Sequence, residues 1–301
     1  MDIPNLQAFL AVSEADSFSR AAMRLHLTQP AVSKRIAALE EEMGTALFDR
    51  VGHHIVLTEA GRALLPNARK VLEAVENGRR AVSNLSGTVS GRLSIGTSHH
   101  IGLHRLPPVL RRFHSRYPEV QLDLRFMDSE QACRAVETGD LELAVVTLPL
   151  EPAPSLLART IWDDPLAIVA SREHPLTFVP TATPSDLSVY PAVLPSRGTY
   201  TRQTVENTLR PLGLELNVEL STNYLETIRM LVSVGLGWSV LPATLIDGSL
   251  ATISIPELRL ERQLGLVRHR ARTLSNAAKA FQAALDSESR AGIPDLPADQ
   301  L

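Results

Sequence analysis

The chain has 301 residues, of which 44% are hydrophobic and 21% charged, a balance that excludes a disordered or fibrous protein and leaves length for two or three packed units. A formal net charge of -3 excludes a uniformly basic coat for nucleic acid, so any contact with a polyanion must come from a local basic patch. One cysteine, Cys133, permits no intrachain disulfide, and its simplest role is packing on a helix. The opening stretch MDIPNLQAFLAVSEADSF is acidic where an export signal is basic, and no apolar run approaches the ~18 residues of a membrane span. The expectation is a cytoplasmic protein with no membrane partner.

From Pro4 to Ala15 the apolar residues Leu6, Phe9, Leu10 and Val12 recur at helical spacing, with Pro4 suited to a first turn. Ser17 is a good N-cap for a second helix, in which Phe18, Ala21, Ala22 and Leu25 share one face and which ends near His26. Thr28 caps a third helix with Pro30 in its first turn, and Val32, Ile36, Leu39 and Met43 form an inward stripe. The opposite face carries Gln29, Ser33, Lys34 and, toward the side, Arg35, side chains able to hydrogen-bond base edges or neutralise phosphate. A short turn followed by a helix with a polar amino-terminal half is the geometry of a helix-turn-helix, and the acidic run Glu40 to Glu42 falls at its far end.

Ser19-Arg20-Ala21-Ala22 with Leu25, then Thr28-Gln29-Pro30-Ala31-Val32-Ser33, Ile36, Leu39-Glu40, Gly44, Leu47-Phe48 with Arg50, and Leu57-Thr58 with Ala60-Gly61 follow one another at fixed spacing. In these residues the chain resembles the LysR-type transcriptional regulators almost position for position. The resemblance implies a sequence-specific regulator whose partner is double-stranded DNA with an interrupted inverted-repeat operator, RNA polymerase being a further candidate partner. It implies groove contact by Thr28, Gln29, Pro30 and Ser33, phosphate or base contact by Lys34 and Arg35, and supporting contacts from Ser19 and Arg20. The segment from about Leu47 to Thr58 becomes a β-wing, with Arg50, His53 and His54 as its candidate contacts.

Thr58 reads as the cap of a long helix from Glu59 to about Asn84, closed by Ser86, Gly87 and Gly91. Leu65, Ala68, Leu72, Val75 and Val82 lie at coiled-coil spacing, interrupted by Arg79, which predicts a homodimer or homotetramer. Roughly 25 residues at ~1.5 Å each span nearly 40 Å, comparable to one turn of DNA at ~34 Å. Pro66 predicts a bend or an irregular start.

After Gly91, short apolar strands alternate with helices. Leu93 to Thr97, Val120 to Phe126 and Leu143 to Val146 are strands, with helices through Val109 to Phe113 and Ala132 to Val136 between them. A second set has strands at Ala192 to Leu194, Glu215 to Leu220 and Trp238 to Leu241, with helices at Tyr200 to Leu209 and Leu225 to Val234. The stretch holding Pro165, Pro175, Pro180 and Pro184 reads as a crossover. A last strand, Leu264 to Arg268, and a helix, Asn276 to Leu285, return to the first lobe.

The expected fold is therefore an α/β effector domain of two doubly wound lobes, periplasmic-binding-protein-like, preceded by a mainly α winged helix-turn-helix and a long linker helix. Its expected boundaries are 1–58 for the reading head, 59–87 for the linker helix and 91–287 for the effector domain. Lobe I takes 91–163 and 266–287, lobe II takes 164–265, and 288–301 is a disordered tail.

Two such lobes surround a crevice with strand ends and helix starts, where partial positive charge favours anions. By the family resemblance its lining would be Thr97, Ser98, His99, His100, Thr147, Arg197, Gly198, Thr199, Thr222 and Asn223. Hydroxyls, imidazoles and one guanidinium suit a small oxyanion or carboxylate as effector. His100 and His104 are four apart on a helix, but the sequence sets no Cys, Asp or Glu beside them, and no metal or other cofactor is expected. No catalytic residue is expected either: G-x-S-x-G, Walker and H-E-x-x-H motifs are missing, and Gly235-Leu236-Gly237 reads as a helix-end turn. A solute-binding protein without regulatory role is the alternative, but it needs an export signal and leaves the first ninety residues without a task.

Overall fold

A computed structural model describes residues 1–51 and 54–290. Packing divides the chain into two compact units that meet at Ser86 and Gly87.

In the first unit, α1 (Ile3–Ala15) has a proline in its first turn, buries Leu6, Ala8, Phe9, Ala11 and Val12, and ends where Asp16 turns left-handed. Helix α2 (Phe18–Arg24) starts where the Ser17 side chain accepts the Arg20 N–H, and its buried Ala21 and Ala22 present no bulk to the helices beside it. Helix α3 (Gln29–Met43) is capped by the Thr28 side chain, ends on the left-handed Gly44, and buries Val32, Ile36 and Leu39. Strands β1 (Phe48–Val51) and β2 (His54–Leu57) form an antiparallel ribbon with Phe48 opposite Leu57. Glu40 anchors this ribbon to α3, because its Oε1 accepts the backbone N–H of Leu47 at 2.7 Å and of Phe48 at 3.2 Å.

Helix α4 (Glu59–Asn84) is capped by Thr58, whose Oγ1 accepts the Gly61 N–H at 3.0 Å and donates to the Ala46 carbonyl at 2.8 Å. Gly61 must be glycine, since a Cβ there would stand 2.2 Å from the Leu47 carbonyl oxygen. The helix runs on through Pro66 rather than starting afresh there, giving up a single intrahelical hydrogen bond.

The expected dimerisation stripe needs correction at its amino-terminal end. Ala68 is fully buried in the core formed by α1, α2 and α3, and Leu65 and Leu72 pack against that core. The stripe found a partner within its own unit, so these three residues are wholly or partly covered there, whereas Val82 is 70% exposed. The long helix accordingly belongs to the first unit and is not a separate body.

The second unit is built on a seven-stranded mixed sheet. In chain order its elements are β3 (Gly91–Thr97), α5 (His99–His104), α6 (Pro107–Arg116), β4 (Val120–Phe126), α7 (Ser129–Thr138), β5 (Leu143–Thr147) and β6 (Leu156–Ser171). Then come α8 (Asp186–Val189), β7 (Ala192–Leu194), α9 (Tyr200–Leu209), β8 (Val218–Ser221), α10 (Leu225–Ser233) and β9 (Ser239–Pro242). The chain closes with β10 (Leu250–Ile253), β11 (Leu260–His269) and α11 (Asn276–Arg290).

The order is β10-β6-β11-β5-β3-β4, with β9 also paired to β6 and with β7-β8 as a separate parallel pair. Strand β3 is parallel to β4 and β5, whereas β11 is antiparallel to both β5 and β6.

The long antiparallel pair β6 and β11 joins the two lobes. Ile161, Trp162, Leu264 and Leu266 belong to the lobe I core around Leu93, Ile95, Phe113 and Phe281. Leu166, Ile168 and Leu260 belong to the lobe II core around Trp238, Leu194 and Val205. The strands therefore change lobe near Asp163–Pro165 and Glu261–Gln263.

The lobe crossing expected in the proline-bearing stretch falls at Pro165, which sits inside a 16-residue strand. It pairs there with Glu261 of β11, and pairing with β9 starts only at Leu166, so its missing N–H costs no ladder bond on that side. A smaller difference is an α11 that extends to Arg290, past the expected start of the tail.

Candidate functional site

The polar face of α3 is open. Thr28, Gln29, Pro30 and Lys34 are exposed and Ser33 and Arg35 are half-buried, whereas Val32, Ile36 and Leu39 are buried. Gln29 Nε2 donates to Ser33 Oγ at 2.9 Å, one turn along, so the two side chains most suited to base edges stand together. Ser19 and Arg20 are exposed on α2. Of the acids at the far end of α3, Glu40 holds the wing and Glu42 pairs with the amino terminus. In the wing, the ladder sets Arg50 opposite Ile55 and His54 opposite Val51; the side chains of Arg50 and His54, and all of His53, lie outside the described residues.

In the second unit a cleft of about 490 Å³, mouth included, opens between the lobes. Of the residues expected there, Ser98, His99, His100, Thr147, Thr199 and Asn223 line it. Thr97, Arg197, Gly198 and Thr222 do not. Thr97 is fully buried at the end of β3, and Arg197 and Gly198 are exposed in the turn before α9. Thr222 turns its Oγ1 back to the Tyr224 N–H.

The cleft is also lined by Asp128, Ser129, Glu130, Thr201, Tyr224 and Arg262, which the sequence reading missed. Asp128, Ser129 and Glu130 open α7 after β4, the strand-to-helix junction that the two-lobed fold itself singles out. Arg262 had a different signal: with Leu260 and Leu264 it occupies alternate, inward positions of β11, whose exposed Glu261 and Gln263 lie between.

Several polar contacts cross from lobe to lobe. Asn223 Nδ2 donates to Asp128 Oδ2 at 2.8 Å, and the Tyr200 N–H donates to Glu130 Oε1. Burial pushes the Glu130 carboxyl up despite that hydrogen bond. Asp164, fully buried, accepts from Arg262 Nε at 2.8 Å and from Arg105 Nη2 at 3.0 Å, while Arg262 Nη1 donates to Thr201 Oγ1 at 2.8 Å. The remaining Arg262 nitrogen, Nη2, is buried without a hydrogen-bond partner among the described residues. Two guanidiniums share one carboxylate at the hinge, and each keeps a buried nitrogen without a hydrogen-bond partner among the described residues, Arg262 Nη2 and Arg105 Nε, of which Arg262 lines the cleft.

His100 is 4% exposed, and neither ring nitrogen has a hydrogen-bond partner among the described residues. Burial first, then the charge of Arg262, pushes its imidazole down to about 3, against the opposing pull of Asp164. His99 packs between the rings of Tyr224 and Phe126, with centroids 4.8 and 5.2 Å away. The expectation that no acid stands beside His100 and His104 is overturned, because folding brings Glu226 of α10 to 3.2 Å from His104 Nε2. Cys133 is buried in α7, and burial pushes its thiol up to about 11, which fits packing.

Comparison with known proteins places these two units. Residues 3–62 match the model of the bacterial regulatory helix-turn-helix protein, lysR family, and residues 86–290 match the LysR substrate binding domain. A regulator of Azotobacter vinelandii is 65% identical over 108 residues, 36% of this chain and 75% of the relative. The RuBisCO operon transcriptional regulator of Allochromatium vinosum is 29% identical over 96% of this chain and 97% of its own. Among solved structures, a full-length OxyR variant from Pseudomonas aeruginosa has a TM-score of 0.70 at 23% identity, covering 96% of this chain and 95% of its own, which shows a shared fold. The chain belongs to the LysR family: it is a DNA-binding transcription regulator with an effector-binding domain. That residues 3–62 match a DNA-reading head supports the regulator and not the solute-binding alternative.

Proposed function

We propose that this regulator works in the cytoplasm as a homodimer or homotetramer and reads an interrupted inverted repeat through the exposed face of α3. Gln29 and Ser33 serve base edges, and Arg20, Lys34 and Arg35 serve phosphates or adjacent bases. The wing, with Arg50, His53 and His54, meets the DNA backbone. Self-association uses the carboxyl-terminal part of α4, from the half-buried Val75 to the exposed Val82. The protein carries no catalytic residue in this reading, and RNA polymerase remains a partner to be tested at a regulated promoter.

The effector is a small carboxylate or oxyanion held in the inter-lobe cleft. One observation carries this: Arg262, anchored by Asp164 and Thr201, keeps a buried Nη2 without a partner in a cleft lined by Ser98, Ser129, Thr147 and Thr199. Effector binding changes operator affinity only insofar as the two DNA-binding states of the protein differ in affinity for the effector.

The test is thermal denaturation of the full-length protein against a panel of carboxylates and oxyanions, with neutral amides and alcohols of matching size as controls. A ligand at about 100 times its Kd adds about 2.7 kcal/mol. A stabilising anion whose neutral analogue has no effect supports the reading. Stabilisation by the neutral analogues alone would overturn it.

A further inference from the structure

One buried polar group of the second unit without a hydrogen-bond partner among the described residues is the His100 imidazole. It is 96% covered, with both nitrogens free of hydrogen bonds to the described residues, an arrangement that costs folding free energy unless something else engages it. Around it stand two side chains that can do so together. His104 lies one helical turn along α5, with ring centroids 4.9 Å apart, and Glu226 reaches in from the first turn of α10 in the other lobe. Glu226 Oε1 is 3.9 Å from His100 Nδ1 and 3.2 Å from His104 Nε2, and one donor atom of each residue lies within 4.8 Å of the others.

Donors held at about 2.0–2.2 Å from one tetrahedral ion stand about 3.3–3.6 Å apart, so closing this triad needs shifts of about 1 Å or less. We propose that His100, His104 and Glu226 form a binding site for a divalent transition cation of the zinc class, which clamps α5 of lobe I to α10 of lobe II at the cleft.

Two imidazoles with one carboxylate form a donor set that zinc-class ions favour over magnesium or calcium, which take oxygen donors. The surrounding charges permit a cation. Arg105 and Arg262 are positive, but Asp164 and Glu226 supply two carboxylates, and both guanidiniums already bond Asp164. Three protein donors leave a fourth position for water or for a donor atom of a cleft ligand. The proposal goes beyond the anion reading and does not rest on it, since the ion would tie the lobes together whether or not the effector is an anion.

The experiment is isothermal titration of tag-free, chelator-stripped full-length protein with Zn²⁺, supported by Co²⁺ absorption as a reporter of imidazole and carboxylate ligation. The proposal expects one saturable site per chain and a shift to higher melting temperature. His104→Gln and Glu226→Gln, whose side chains are only partly covered, should each weaken affinity tenfold or more. His114→Gln, on the exposed side of α6, should leave it unchanged.

Saturable Zn²⁺ binding with the same affinity in both cleft variants, or no saturable binding at all, would overturn the proposal. So would loss of binding in His114→Gln alone. The anion panel is run on chelator-stripped protein, so a failed metal titration leaves the effector result standing, and the reverse.

Discussion

Asp164 sits where the two connecting strands pass from lobe to lobe, and replacing it by alanine makes the sharpest demand on this fold. Its carboxylate is fully buried and bonds two arginines, Arg105 at 3.0 Å and Arg262 at 2.8 Å. Those side chains are 14% and 4% exposed, so water cannot take over the carboxylate's role without opening the hinge. Removing one member of a buried ion network while leaving its partners charged costs about 3–5 kcal/mol.

For a domain of about 150–250 residues each kcal/mol moves Tm by about 2–4 °C, so the transition of the effector unit should fall by roughly 6–20 °C. Scanning calorimetry on the full-length protein reads this directly, with the first unit's transition as an internal standard. Asp164→Asn, which keeps an acceptor but not the charge, should fall between wild type and Asp164→Ala. A loss under about 1 kcal/mol for the alanine variant would refute the reasoning, because only exposed ion pairs are worth so little.

The remaining predictions concern other parts of the chain. Gly61→Ala forces a Cβ to within 2.2 Å of the Leu47 carbonyl oxygen, and urea denaturation should show the first unit destabilised by about 1–3 kcal/mol. An unchanged midpoint would mean that α4 and the wing do not pack as described. His174 is buried, accepts the Leu176 N–H on Nδ1 at 3.2 Å, and has its pKa lowered by burial. The unfolded chain therefore takes up a proton near pH 6.5 that the folded one refuses until lower pH, so stability falls as pH drops below about 6.5. His174→Asn should flatten that part of the pH-stability curve, and an unaltered slope would contradict the assignment. The Cys133 thiol should resist alkylation at pH 8 in the native protein and react on unfolding, as mass spectrometry after iodoacetamide would show.

The reading head was legible because its signals are local. Ser17, Thr28 and Thr58 each cap the helix that follows, and in each case the side chain accepts a backbone N–H three residues on. The spacing of Val32, Ile36 and Leu39 fixed which face of α3 is buried, and Gln29 in the first turn is left exposed with Ser33 half-buried beside it. Strand β6 was hidden because Asp163, Asp164 and Pro165 look like a break. It is a strand only because β11 pairs with it from 98 residues away, at Asp164 and Arg262.

The cleft was half legible for the same reason. Ser98, His99 and Thr199 follow strands at positions the fold type announces, whereas Glu226 reaches His104 across 122 residues of sequence, a distance no periodicity encodes. The α4 stripe shows the converse limit. Its spacing announced an apolar seam, but could not say that Ala68 would be covered by the protein's own α1 core.

The most direct test of DNA reading by α3 is a competition measurement. Duplexes selected from a random pool by the wild-type protein compete with unselected duplex, at fixed salt, for binding to wild type, Gln29→Ala and Lys34→Ala. Gln29→Ala should lose preference for the selected sequence by about 1–3 kcal/mol while keeping its affinity for random DNA, and Lys34→Ala should weaken both alike. Equal losses on both duplexes for Gln29→Ala, or none, would contradict the assignment of α3 as the helix that reads bases.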